Sequence, residues 1–333
     1  MKKINHNIFF INSLSDFLND FKEKSILLID RNVYKHHQVV FEDFRKIIID
    51  TSEASKSFKT TELIITELLQ LKAHRETILI NIGGGVIGDL GGFVASIFKR
   101  GVKFAHIPTT LLAMCDAAIG GKNGINFGET KNIIGTITNP EFVAIYPDFI
   151  KTLTDEEFKN GIAEIIKHSI LDSYEHYYFI LQNKKEIKTR NIEIITQLIS
   201  RSVKFKTSIV EQDEKELGNR RLLNFGHTMG HALEAIYGVS HGKAVAIGMF
   251  YAAKLALKNG YCNKQTFDEI QFILQEFKFE TEFKYDLDKV IEKIYQDKKS
   301  YDEDVNFIYP FTIGDCRVVK TNVELLKNQL KIL

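Results

Sequence analysis

Five side chains from residue 164 onward have the types and spacing for metal chemistry. His227 and His231 in NFGHTMGHALE stand four residues apart and share a helix face, and His241 opens HGKAVAIGM, so three of the 10 histidines fall in one short window. Upstream, Glu164 in GIAEIIKH precedes Lys167 by one helical turn on an otherwise apolar helix. A divalent metal with catalytic duty takes three nitrogen or oxygen ligands and keeps one position for substrate, so one glutamate and two histidines suffice. Spacing leaves open whether His227 pairs with His231 or with His241.

A second group of residues suits a phosphate. Gly83, Gly84 and Gly85 end the apolar run TILINI and lead through Gly88, Asp89, Gly91 and Gly92 into a helical pattern. A strand that ends in glycines and opens a helix brings backbone N–H groups up to an anion, which the helix N-terminus favours, as the pyrophosphate of a dinucleotide requires. Asp30 and Asn32 follow the first strand in LLIDRN, where a carboxylate and an amide reach ribose hydroxyls. Between Arg100 and Asn132 runs a polar, glycine-rich stretch carrying Thr109, Thr110, Asp116, Lys122, Lys131 and Asn132. It reads as a functional loop whose two lysines and asparagine neutralise a phosphate monoester.

These groups need elements to carry them. The first part alternates short apolar runs with amphipathic stretches: a strand over 25–30, a helix over 60–74, a strand over 77–85 and a helix over 88–100, the signature of an α/β layer with a parallel sheet. After about residue 154 the apolar spacing becomes helical throughout, over 155–171, 191–210, 222–238 and 242–260. We therefore expect two domains, 1–153 and 154–333, in accord with a length of 333 residues, with a cleft between them.

Composition narrows the partners. Lysine plus arginine number 44 against 43 acidic residues, so no sequence-wide basic surface advertises nucleic acid, and any anion site is local. No stretch reaches the roughly 18 apolar residues of a membrane span, and the N-terminus has no signal-peptide pattern, which points to a cytoplasmic protein with no membrane partner. Cys115, Cys262 and Cys316 are odd in number and scattered, as ordinary reduced thiols are.

Taken together, GGGVIGDLGGF, RGVKFAHIPTTLLAMCDAAIGGKNGIN, KNIIG, GIAEIIKH, DEKELGNRRLLNFGHTMGHALE and HGKAVAIGM resemble, in order and spacing, the 3-dehydroquinate synthase family of the sugar phosphate cyclase superfamily, from about residue 25 to residue 315. The resemblance implies an α/β N-terminal Rossmann-like NAD-binding domain, an all-α C-terminal metal-binding domain and a homodimer. It implies Glu164, His227 and His241 as ligands of Zn2+ or Co2+, and Asp30, Asn32, Glu53, Lys56, Gly84, Gly85, Asp89, Thr109, Thr110, Lys131 and Thr152 as NAD contacts. Asp116, Lys122, Asn132, Lys167, Lys206, Arg220, Asn224 and His231 match the substrate pocket, Arg100 reaches across the dimer, and one of Lys298 and Lys299 joins the pocket.

The implied reaction is that of a lyase acting on a small anionic sugar-acid phosphate, 3-deoxy-D-arabino-heptulosonate 7-phosphate, by transient oxidation, phosphate elimination, reduction and aldol closure. Two alternatives stand beside it: another sugar phosphate cyclase, such as one acting on sedoheptulose 7-phosphate, and an NAD- and metal-dependent alcohol dehydrogenase of the glycerol dehydrogenase type. The chain departs from the family's usual pattern at Asn123, Tyr146, Thr154 and Lys243. The last places a cation two residues from an implied metal ligand, where it could change the charge around the metal.

Overall fold

The computed structural model describes all residues except 1, 4–6, 129, 215, 298–303 and 332–333. It divides into two compact units, Met1–Phe158 and Lys159–Leu333.

The first unit is built on a seven-stranded sheet. Its strands are β1 (Lys2–Lys3), β2 (Ile8–Phe10), β3 (Ser25–Asp30), β4 (Lys46–Ile49), β5 (Ile78–Gly83), β6 (Phe104–Pro108) and β9 (Val143–Ile145), in the order β1-β2-β9-β6-β5-β3-β4. All neighbours are parallel except β1 and β2. Every residue of β3 is buried, as expected of an apolar strand covered on both faces. Helices α1 (Leu14–Asn19), α2 (Arg31–Phe41), α3 (Phe58–Gln70) and α4 (Gly85–Ile97) connect the strands. Ser57 caps α3 by accepting the N–H of Thr60 at 3.3 Å. The chain leaves β3 for β4 on one side and returns to β5 on the other, so the direction of winding reverses between β3 and β5. In such sheets the crevice at this reversal, beyond the carboxyl ends of the strands, is the ligand-binding place.

Helix α4 packs unusually close to its neighbours because two of its residues lack side chains. A Cβ on Gly91 would overlap the amide of Asn81, and one on Gly92 would overlap that of Asn123. The helix stops at Ile97, short of the expected 100: Lys99 and Arg100 have left-handed φ of 50° and 67°, and Gly101 follows at 108°. The stretch from Arg100 to Asn132 is also not one loop. It contains β6, a π turn at Ala113–Ala117 and a hairpin of β7 (Lys122–Phe127) with β8 (Thr130–Ile137).

The second unit is helical, with α5 (Asp155–Asp172), α6 (Tyr174–Gln182), α7 (Lys184–Lys188), α8 (Ile192–Gln212), α9 (His227–Tyr237), α10 (His241–Lys258), α11 (Lys264–Glu276), α12 (Leu287–Asp297) and α13 (Val323–Lys331). The division between the units falls inside α5. To the helices it adds an antiparallel hairpin of β10 (Asp304–Thr312) and β11 (Asp315–Asn322), with a register shift beside Pro310, where a proline is tolerated. The expected helix over 222–238 is broken. Asn219–Asn224 form a 3-10 turn, and Gly226 takes a left-handed φ of 78° before α9 starts at His227. A Cβ there would sit 2.8 Å from the Val245 carbonyl, so only glycine lets α9 begin against α10.

Candidate active site

In the first unit, most of the residues expected to contact a dinucleotide lie at or just beyond the carboxyl ends of the parallel strands; Asp89 lies within α4 and Lys131 on the hairpin strand β8. Asp30 ends β3, where its Oδ1 accepts the N–H groups of Asn32 at 2.7 Å and Val33 at 3.4 Å and so caps α2; its Oδ2 accepts the Thr51 hydroxyl. Gly84 is the N-cap of α4 and brings no side-chain oxygen, so the first-turn N–H groups remain for a ligand. A Cβ at Gly84 would stand 3.1 Å from the methyl of Thr110, so glycine keeps this cradle open, whereas one at Gly85 would meet Ala117 at an ordinary 3.5 Å. The Thr109 N–H donates to Gly83 O at 2.9 Å, and the Thr110 hydroxyl accepts the N–H of Ala113 at 3.1 Å. Thr152, beyond β9, donates its hydroxyl to Phe149 O at 3.0 Å.

Four of the expected residues form one cluster. Lys56 is buried, at 4% exposure; its ammonium lies 2.6 Å from Asp89 and 3.9 Å from Glu53, and it also donates to Asn132 Oδ1. Asn132, expected on the substrate side, therefore meets Lys56, which also holds Asp89 and Glu53, all three expected on the dinucleotide side. Lys122 and Lys131 stand exposed on the hairpin, Asp116 is half-buried in the π turn, and Arg100 is exposed on its left-handed backbone.

The second unit assembles the metal group. Glu164, on α5, is fully buried, and its Oε1 lies 3.0 Å from Nε2 of His241 and 3.4 Å from Nε2 of His227. One ligand atom from each of the three residues falls within 4.8 Å of the others. Lys167, also buried, ion-pairs with Oε2 of Glu164. The two histidines sit at the first positions of α9 and α10, which the turn at Gly226 brings together. Nδ1 of His227 donates to the Phe225 carbonyl at 3.1 Å and Nδ1 of His241 faces Glu234 Oε2 at 3.2 Å, which leaves both Nε2 atoms for the centre of the group.

Protonation shows what this group fits. Burial first, then Lys167, holds the His227 pKa well below its ordinary value, so the ring is neutral. A carbonyl only accepts, so the His227 proton is on Nδ1 and a bare Nε2 lone pair faces a carboxylate oxygen. Burial opposes charge on His241 as well, but hydrogen bonds to Glu164 and Glu234 raise it to about 9, so without a metal this ring carries a proton that a bound metal would displace from Nε2. Two electron-rich atoms facing each other at 3.4 Å call for a cation, and that separation is close to the roughly 3.3 Å edge of a tetrahedral zinc site. His231 lies outside the trio, its ring centroid 4.9 Å from that of His227.

The other expected substrate residues sit on or beside α8. Lys206 and Arg220 are buried. Arg220 donates its N–H to Asp213 Oδ2 at 3.0 Å and its guanidinium to Glu214 O at 2.7 Å; Asp213 also accepts the N–H groups of Leu217 and Gly218, which folds the loop. Asn224 donates to Glu216 Oε1 at 2.7 Å. Lys298 and Lys299 lie outside the described residues.

Sequence reading missed Glu234, Asp213 and Asn126. Glu234 stands seven residues after His227 on the same helix face, a signal that was legible; the other two sit in turns and strands with no such periodicity. The departures resolve locally. Asn123 is buried and donates to Gly121 O and Thr138 O, Tyr146 donates to Asp148 at 3.5 Å, and Thr154 caps α5 by accepting the Glu157 N–H. The Lys243 ammonium lies 2.7 Å from Glu280 and over the Phe283 ring, so its charge is offset by a carboxylate of its own.

Comparison with known proteins agrees along the chain. The family models described as 3-dehydroquinate synthase N-terminal and C-terminal match residues 46–160 and 161–300. The chain is 41% identical over 306 residues to the 3-dehydroquinate synthase of Dictyoglomus turgidum, covering 91% of this chain and 85% of that protein. It is 40% identical over 319 residues to that of Clostridium beijerinckii, covering 91% and 90%. Among solved structures, ValA, a 2-epi-5-epi-valiolone synthase from Streptomyces hygroscopicus subsp. jinggangensis 5008 with NAD+ and Zn2+ bound, has the same fold, with a TM-score of 0.90 at 24% identity over 100% of this chain and 97% of that one. Among the described residues, no helix is long and apolar enough to cross a membrane.

Proposed function

The chain belongs to the 3-dehydroquinate synthase family, and from that premise we propose that it converts 3-deoxy-D-arabino-heptulosonate 7-phosphate to 3-dehydroquinate and phosphate. The domain over 1–153 holds NAD+ through Asp30, Asn32, Glu53, Lys56, Gly84, Gly85, Asp89, Thr109, Thr110, Lys131 and Thr152. The domain over 154–333 holds Zn2+ or Co2+ through Glu164, His227 and His241.

When bound, the metal polarises a substrate hydroxyl and NAD+ takes up and returns a hydride. The chain's own residues bind and orient. Phe225 O and Glu234 fix which nitrogen each histidine presents, and Lys167 balances the second oxygen of Glu164. Lys122, Asn132 and His231 hold the phosphate, so that it leaves in place. Arg220 supplies a planar cation for the carboxylate, with Lys206, Asn224 and Asp116 completing the pocket. We further propose a homodimer in which Arg100 serves the site of the partner subunit; its exposure and its fixed left-handed backbone support this. The three cysteines are buried free thiols, as in proteins of a reducing cytoplasm.

The observation that carries the reading is the convergence of Nε2 of His227 and Nε2 of His241 on Oε1 of Glu164, at 3.4 and 3.0 Å, inside a chain that matches the family over both of its domain models. The test is phosphate release from the heptulosonate phosphate with and without chelator and NAD+. Release that needs both metal and NAD+, with no net NADH absorbance, is the expected result. Turnover of sedoheptulose 7-phosphate instead would assign a neighbouring cyclase, and accumulation of NADH would assign a dehydrogenase.

A further inference from the structure

One side chain with no part in the proposed chemistry ties the hairpin β7–β8 to the segment that follows β4. Asn126, near the end of β7, donates its backbone N–H to Lys56 O at 2.8 Å. Its side-chain Nδ2 donates to Glu53 O at 3.2 Å and to Glu53 Oε1 at 2.8 Å, and its Oδ1 accepts the N–H of Asn132 at 2.8 Å. Two acceptors on one side and one N–H on the other fix the amide's orientation.

The bonds close a ring. Asn126 holds the backbone of Lys56, the Lys56 ammonium holds Oδ1 of Asn132, and the N–H of Asn132 returns to Asn126. Asn132 sits at a left-handed φ of 54°, a conformation that persists where its surroundings over-determine it, and here both its backbone and its side chain are held. Because Lys56 fixes which end of the amide is Oδ1, the Nδ2 end of this exposed residue is the donor suited to a phosphate oxygen. Lys56 is itself anchored by Asp89 at 2.6 Å.

We propose that Asn126 is a positioning residue that couples the dinucleotide site, through Glu53 and Lys56, to the phosphate site, through Asn132. The inference rests on the assignment of those residues in the proposed function. Ordering one side of the ring orders the other, so each ligand tightens the other by the same factor.

The test measures NAD+ affinity calorimetrically on the metal-loaded full-length protein, with and without saturating inorganic phosphate. Phosphate tightens NAD+ roughly fivefold or more in the wild type. Asn126→Ala weakens NAD+ roughly tenfold and brings the coupling factor to about one. Asn126→Asp keeps the acceptor for Asn132 but sets a carboxylate against Glu53, so it weakens NAD+ and leaves phosphate affinity near the wild-type value. Unaltered circular dichroism and melting temperature separate these effects from misfolding, and the Asp variant serves if the Ala variant unfolds. A coupling factor of one in the wild type, or an undiminished factor in Asn126→Ala, overturns the proposal. Failure of the wild type to bind NAD+ at all overturns the dinucleotide reading itself.

Discussion

The carboxylate of Glu234 lies 3.2 Å from Nδ1 of His241, on the far side of the ring from Glu164. A carboxylate behind a metal-ligating histidine fixes its tautomer and raises its basicity, and removing such a partner commonly costs about 10- to 100-fold in metal affinity. Glu234→Gln is expected to lose zinc affinity by that amount in a chelator competition while the protein stays folded. Glu164→Gln, which alters the proposed ligand itself, should lose far more. Equal zinc affinity in wild type and Glu234→Gln would refute the orienting role.

Arg220 reaches its place through Asp213, which takes the N–H groups of Leu217, Gly218 and Arg220 and shapes the loop. Burial opposes ionisation of Asp213, but the backbone N–H groups of Gly218, Leu217 and Arg220 and the Arg220 charge outweigh it and hold the carboxyl below its usual pKa, so these bonds persist to more acid pH than an ordinary aspartate would allow. A lysine cannot reproduce the planar fork of a guanidinium. Arg220→Lys should therefore raise KM for the heptulosonate phosphate by roughly 10- to 100-fold, with a smaller fall in kcat. Steady-state kinetics checks this, and an unchanged KM would remove Arg220 from carboxylate recognition.

His106 is buried beside Asn81, and burial lowers its pKa to about 4. Its folded pKa lies below the unfolded value of about 6.5, so its contribution to stability is present above that pH and is lost as the pH falls toward 4. At about 1.4 kcal/mol per unit, the loss between pH 6.5 and pH 5 is about 2 kcal/mol. Melting temperatures at pH 7 and pH 5 should diverge more for the wild type than for His106→Gln, which cannot take the proton. Parallel shifts would show that the histidine does not control acid sensitivity.

What the sequence made legible followed periodicity. The strands at 25–30 and 78–83 and the helices α5, α8 and α10 fall where apolar spacing put them, because core burial imposes that spacing. The trio of Glu164, His227 and His241 came from the family resemblance; spacing alone left the choice between His231 and His241 open. That choice depends on Gly226, whose left-handed turn sets His227 at the start of α9 rather than in its middle, and a single glycine carries no periodic signal. The hairpin β10–β11 escaped for a related reason: its proline and flanking turn broke the alternation on which a strand reading relies.

The fit of α4 against Asn81 has a consequence for which substitutions the fold admits. Position 91 carries no side chain, and the amide at position 81 fills the space that one would take. A methyl group gained at 91 has nowhere to go unless 81 shrinks first, and a small residue at 81 leaves a hole until 91 grows. The two positions, ten residues apart, are therefore coupled: a substitution at one is expected to be tolerated only with a matching change at the other, which a double-mutant cycle on melting temperature reads directly.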